Sequence, residues 1–289
     1  MDLAIVTVVG LIVGHGIRRL TPFLIDWQDK SLPFRYPWVE ACSALIFFLI
    51  SFQRGTPPDQ WKWLLLTTLL LMVTSTDHLS KYIPDKVCYV GALLGVVLSA
   101  VFPQDLLSFL NQRVVPEFFG LNAYQVHQSG LVLGLTGAAM GFGQMEFIRR
   151  IFRPIVKMDV MGGGDTLLML MAGAFLGPQM ILFTLLPACV AGVLAGVLWK
   201  MVFGTPHFPF GPSLSLGAIL MVLYGDKVVY GVANFHSLIY DLHPGVLLAF
   251  SIFLVILLIF LIMRLKRKAA EYERLIEEDY KEIDEKINS

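Results

Sequence analysis

Charge is scarce in this chain. Only 15% of its 289 residues are Asp, Glu, Lys or Arg, while 56% are hydrophobic and the mean hydropathy is +0.70. Soluble domains carry roughly 25% charged and about 45–50% apolar residues, so a single water-soluble core is excluded as the building plan. Cysteine is rare as well. Cys42, Cys88 and Cys189 sit in separate apolar stretches without C-x-x-C spacing. That pattern excludes a cysteine zinc site and a structural disulfide, and predicts small buried thiols. The first 20 residues lack a basic start and an A-x-A-like cleavage site, so no cleavable signal peptide is expected. No metal, cofactor or nucleic-acid partner is expected.

What the chain has is apolar length. Nine stretches are long enough, or nearly so, to cross a bilayer: 2–17, 36–52, 61–76, 86–103, 129–148, 163–177, 179–203, 211–224 and 244–264. A spanning helix needs about 17–25 residues. Segments 163–177 and 211–224 are therefore short, and their Gly and Pro content suits burial among other helices. The predicted fold is all-α: a polytopic membrane helix bundle of about 8–9 transmembrane helices, with membrane lipid around it.

Basic residues orient the bundle. With the N-terminus outside, only Arg54, Lys62, Arg113 and Lys227 of the 22 Lys and Arg residues fall in outer loops. The reverse orientation would invert that ratio, so the C-terminus is expected to be cytoplasmic. Stretch 244–264, followed by Arg-Leu-Lys-Arg-Lys through Lys268, is the strongest anchor. Residues 1–264 then form the membrane bundle, and 265–289 a charged cytoplasmic helical tail. Trp27, Trp38, Trp61 and Trp63 lie near proposed boundaries, as interfacial anchors would. His15 has no metal-ligand spacing and reads as a packing or interface residue.

An ionisable residue at the membrane is costly and so points to function. Asp77 ends the run 64–76 and opens Asp-His-Leu-Ser-Lys-Tyr-Ile-Pro-Asp, which carries Lys81, Pro84 and Asp85. Asp165 follows Gly162, Gly163 and Gly164 and begins the next apolar run. By the charge count, both acids lie at the cytoplasmic ends of their helices. That matched depth is what a carboxylate dyad requires. One ionised carboxylate takes a proton from water while its protonated partner hydrogen-bonds the scissile carbonyl. Glycines 162–164 can adopt φ > 0 and let an extended peptide approach. Separately, Asp165 could serve as an N-cap and the glycines as close-packing residues.

These residues carry a resemblance. Gly162-Gly163-Gly164-Asp165 resembles the G-x-G-D signature of the GxGD membrane aspartic peptidases, and its surroundings look like bacterial type IV prepilin leader peptidases. In that family the first acid precedes a proline by seven residues, as Asp77 precedes Pro84. Residues 32–40 (Leu-Pro-Phe-Arg-Tyr-Pro-Trp-Val-Glu) and 208–216 (Phe-Pro-Phe-Gly-Pro-Ser-Leu-Ser-Leu) are also similar to it, as is 168–177.

The resemblance implies an aspartic endopeptidase of the bacterial inner membrane with Asp77 and Asp165 as its catalytic pair. Gly162, Gly163, Gly164, Lys81, Pro84 and Asp85 would meet the substrate. That substrate would be a type IV prepilin or pseudopilin precursor, cut after a glycine at the cytoplasmic face. Pilus or secretion assembly proteins would be further partners. Acidic receptors for a basic leader could be Asp85, Asp159 and Glu146, although Glu146 has Arg149 and Arg150 at helical spacing and could pair with them.

The chain also departs from the family. The loop from Arg18 to Arg35 is short and lacks the family's two C-x-x-C zinc pairs. Gly14-His-Gly-Ile-Arg-Arg stands where G-S-F-x-N-V-x-x-x-R is usual, in the region associated with N-methylation, although Glu40 remains. Leu167 replaces the usual Lys, and the ninth helix and tail exceed the usual plan. Peptidase activity without methylation is the expectation. The rivals are a proton- or cation-coupled transporter and a non-cleaving pilin-binding relative. Against the transporter, the acids sit at one face and no inverted repeat is visible.

Overall fold

The computed structural model describes residues 3–24, 38–54, 60–102, 130–156, 162–203 and 210–240, together with Met263 and Arg267. Among these, all regular structure is helical: α1 Leu3–Leu24, α2 Trp38–Arg54, α3 Trp61–Ser80, α4 Asp85–Val101, α5 Gly130–Val156, α6 Gly163–Phe203 and α7 Gly211–Tyr240. Four helices are long and apolar enough to cross a membrane, over Leu3–Leu24, Gly130–Arg153, Gly163–Leu198 and Gly211–Val232. The chain is thus a helical membrane protein. Two compact units divide it, one of Met1–Met145 with Gly163–Val232 and one of Glu146–Gly162 with Ala233–Ser289. The expected span 244–264, the tail 265–289, Trp27 and Asp159 lie outside the described residues, apart from Met263 and Arg267.

The first unit is built around α3. Its buried residues include Leu66, Leu70, Val73 and Asp77 on one face and Leu64, Leu71, Ser75 and Thr76 on others, so they surround most of the axis. A helix buried on all sides belongs at the centre of a bundle. Lys62, expected in an outer loop, and Trp63, expected as an interfacial anchor, are both buried residues of α3. Lys62 Nζ lies 5.0 Å from the Trp63 ring centroid, where the quadrupole of the ring favours a cation. Trp38 and Trp61 are exposed, as anchors would be.

Small residues and hydroxyls join the helices, as expected where hydrocarbon offers no hydrophobic drive to associate. Gly14 of α1 faces Glu40 of α2 so closely that a methyl there would lie 2.6 Å from the Glu40 Cα. Thr21 and Ser75 link α1 to α3 at 3.0 Å, and Ser51 donates to Gln60 at 2.9 Å. Gly137 of α5 meets Gly173 of α6, backbone against backbone.

Helix α6 breaks where the sequence separates 163–177 from 179–203. Gly177 takes φ 76°, ψ 173° just before Pro178. Left-handed φ suits glycine alone, and the proline disfavours an α conformation before it. Pro178 offers no N–H to the carbonyl four residues earlier, that of Ala174. Ser99 of α4 supplies the missing donor, its Oγ lying 2.9 Å from that oxygen. Helix α7 likewise bends at Tyr224 but continues to Tyr240, beyond the expected end at 224. Asp226 and Lys227 end the apolar run without ending the helix, because both are exposed. Two cysteines also differ from expectation: Cys88 is buried, but Cys42 and Cys189 are exposed on outer helix faces.

Candidate active site

Asp77 owes its position to the way α3 stops. Lys81 turns into the left-handed region at φ 54°, ψ 28°, and its N–H donates to the Asp77 carbonyl at 2.8 Å. This is an αL helix stop made without glycine. Three residues later Pro84 opens α4 in an extended conformation, its carbonyl accepting the N–H groups of Val87 and Cys88 at 3.1 and 3.3 Å. The Asp-to-Pro spacing thus has a physical meaning, since one helix ends and the next begins within a four-residue link. The link folds Ile83 and Pro84 inward, both buried, and leaves Lys81 and Asp85 exposed.

Asp165 is placed by the first turn of α6. It is 9% exposed and Asp77 6%, so both carboxylates are buried among helix ends. Ile83 connects them. A methyl on Gly164, the neighbour of Asp165, would lie 2.7 Å from Ile83 Cβ. On Gly211, the first residue of α7, it would lie 3.3 Å from Ile83 Cδ1 and would overlap Asp77 Oδ2. The ends of α3, α6 and α7 therefore meet around one isoleucine, bringing the surroundings of both acids together.

The glycines differ from expectation. Among the described glycines only Gly177 has positive φ, so Gly162, Gly163 and Gly164 do not use that freedom. Gly162 and Gly163 are exposed, and Gly164 serves close approach to Ile83. Lys81 contributes its backbone, with its side chain turned outward. Glu146 forms ion pairs on its own helix, to Arg149 at 3.2 Å and Arg150 at 2.9 Å. These are the pairings its helical spacing allowed.

Sequence reasoning assigned no role to two residues at this site, Ile83 and Gly211. Gly211 lies within the Phe-Pro-Phe-Gly-Pro segment already singled out, and its proximity to Asp77 exists only once α7 has packed. A separate acid cluster lies where α1 meets α2. Arg18 donates to Glu40 Oε1 at 2.9 Å, and His15 Nδ1 is 3.6 Å from the same oxygen. His15 thus borders an ion pair and is itself half-exposed.

Residues 64–197 match the type IV leader peptidase family. A prepilin leader peptidase/N-methyltransferase of Pseudomonas putida is 28% identical over 203 residues, covering 69% of this chain and 62% of that protein. The Stutzerimonas stutzeri protein of the same description is 27% identical over 212 residues, 72% of this chain and 65% of its own length. A type 4 prepilin-like proteins leader peptide-processing enzyme of Escherichia coli is 30% identical over 201 residues, 68% and 64% of the two chains. The chain thus spans less than two thirds of the length of these relatives. No solved structure matches it.

Proposed function

We propose, from the membership of residues 64–197 in the type IV leader peptidase family, that this protein is an aspartic endopeptidase with Asp77 and Asp165 as its catalytic pair. The observation that carries the reading is the burial of both carboxylates at helix ends that share Ile83. Two carboxylates in one confined site share a proton, because both cannot ionise at close range. The ionised member removes a proton from water, whose oxygen adds to the scissile carbonyl carbon. The protonated member hydrogen-bonds the carbonyl oxygen as negative charge develops there. Return of a proton to the departing nitrogen breaks the C–N bond, leaving a carboxylate on the leader and a free amine on the mature chain.

The substrate would be a type IV prepilin or pseudopilin precursor, cut after a glycine where its basic leader meets an apolar helix. Gly162, Gly163, Gly164, Lys81, Pro84 and Asp85 would meet the substrate. The charge distribution supports a bundle of 8–9 spans, 1–264, in the bacterial inner membrane. In it the N-terminus lies outside, and the tail 265–289 and both acids lie on the cytoplasmic side. Pilus or secretion assembly proteins would be its other partners. The short cysteine-free loop after α1 supports cleavage without N-methylation.

Co-expression with a prepilin precursor tests the reading. Wild type should process the precursor, and Asp77→Asn and Asp165→Asn should not. Processing that survives both substitutions would sink the dyad. The mature pilin should show an unmodified N-terminal amine by mass spectrometry, and a methylated mass would refute the expectation of cleavage alone.

A further inference from the structure

We propose that Gly211, the first residue of α7, is a positioning residue that sets the direction of the Asp77 carboxylate; the inference rests on the peptidase reading. The first turn of a helix has N–H groups without intrahelical partners. In α7 most of them are accounted for. Pro212 has none, and Ser213 and Leu214 donate to the Phe210 carbonyl at 3.0 and 3.1 Å. Gly211 itself lies beside the Asp77 carboxylate. Asp77 Oδ2 is buried there without a hydrogen-bond partner.

The second observation is steric. The Gly211 Cα lies against the carboxylate so closely that an added methyl would overlap Oδ2 and sit 3.0 Å from Cγ. Ile83 closes the same space, with its Cδ1 3.3 Å from that methyl position. The backbone does not itself require glycine here, because Gly211 begins a helix without positive φ. Alanine would fit the conformation and is the better helix former. The conflict falls on the free end of the Asp77 side chain, which can yield by rotating. Gly211 therefore does two things at once. Its helix start turns the positive end of the helix dipole toward the carboxylate, and its missing side chain leaves the carboxylate room to keep its direction. An acid turned from its working direction would bind substrate as before and fail in the chemical step.

Full-length Gly211→Ala, in detergent and in lipid vesicles, provides the test against a synthetic prepilin peptide. Gly143→Ala is the control, because open space surrounds that glycine. For Gly211→Ala, kcat should fall by about tenfold or more while KM and the unfolding midpoint stay near wild type. A joint change in KM and stability, or an unchanged kcat, would overturn the proposal. A second readout does not depend on cleavage. The infrared carboxyl band of Asp77, assigned by subtracting the Asp77→Asn spectrum, should shift in Gly211→Ala. An unshifted band overturns the proposal. A shifted band in Gly211→Ala, together with a wild-type protein that cuts no precursor, supports the positioning and defeats the peptidase reading alone.

Discussion

Glu40 and Asp77 are two acids at two helix junctions, each crowded by a glycine of a neighbouring helix, yet they meet opposite surroundings. Glu40 faces the Arg18 guanidinium at 2.9 Å, with His15 beside the same oxygen. Asp77 lies against the backbone of Gly211 near Ile83, with the charge of the adjacent His78 also acting on it. The charge of Glu40 is engaged in joining α1 to α2. The carboxylate of Asp77 lies in a close fit against a helix start, and under the proposed dyad it would remain free to exchange a proton. In that reading what surrounds a carboxylate, more than its burial, marks the reactive acid.

The comparison can be broken most severely at Asp77. Asp77→Asn should reduce precursor cleavage by about 100-fold or more, the usual scale of general acid–base catalysis, with little change in unfolding midpoint. Asp165→Asn should match it. Arg18→Ala should do the reverse, lowering stability by about 1–3 kcal/mol by taking its donor from a part-buried charged oxygen, while cleavage of the precursor persists. Glu40→Gln should be milder, at about 0.2–1 kcal/mol, because the ion pair is partly solvated and Gln keeps the shape. Denaturation in mild detergent, paired with the cleavage assay, reads both sides. If Glu40→Gln abolished cleavage and left stability intact, the contrast drawn here would fail. Ser99→Ala should be of the same small size, about 0.6 kcal/mol by the average for interhelical hydrogen bonds in membranes.

Much of the site could be read from the chain because its signals are local. Three glycines before Asp165 and a proline after Asp77 mark a helix start and a helix stop, and both acids are found at those ends. The break at Gly177-Pro178 was equally visible, because proline disrupts a helix whatever surrounds it. Charged residues misled where helices continued past the apolar run, as at Arg149 and Lys227. A helix needs backbone bonds along its length but apolar contact only on part of its surface. Lys62 misled for another reason, since its burial depends on α3 lying centrally, which no local pattern records. Gly211 and Ile83 were illegible as site residues because their importance comes from three helix ends converging.

The hydroxyl of Ser99 and the ring of Pro178 belong to different helices, yet neither can be valued alone. Proline at 178 orphans the Ala174 carbonyl, and serine at 99 answers it. Where Pro178→Ala lets Gly177 return to helical angles, the carbonyl regains an N–H from its own helix, and Ser99→Ala should become nearly silent. The two substitutions would then be non-additive, as expected for residues sharing one partner. The pair also imposes an order on sequence change. A lineage can lose the proline first and the serine afterwards at little cost, whereas losing the serine first passes through an intermediate with a bare carbonyl inside the bundle.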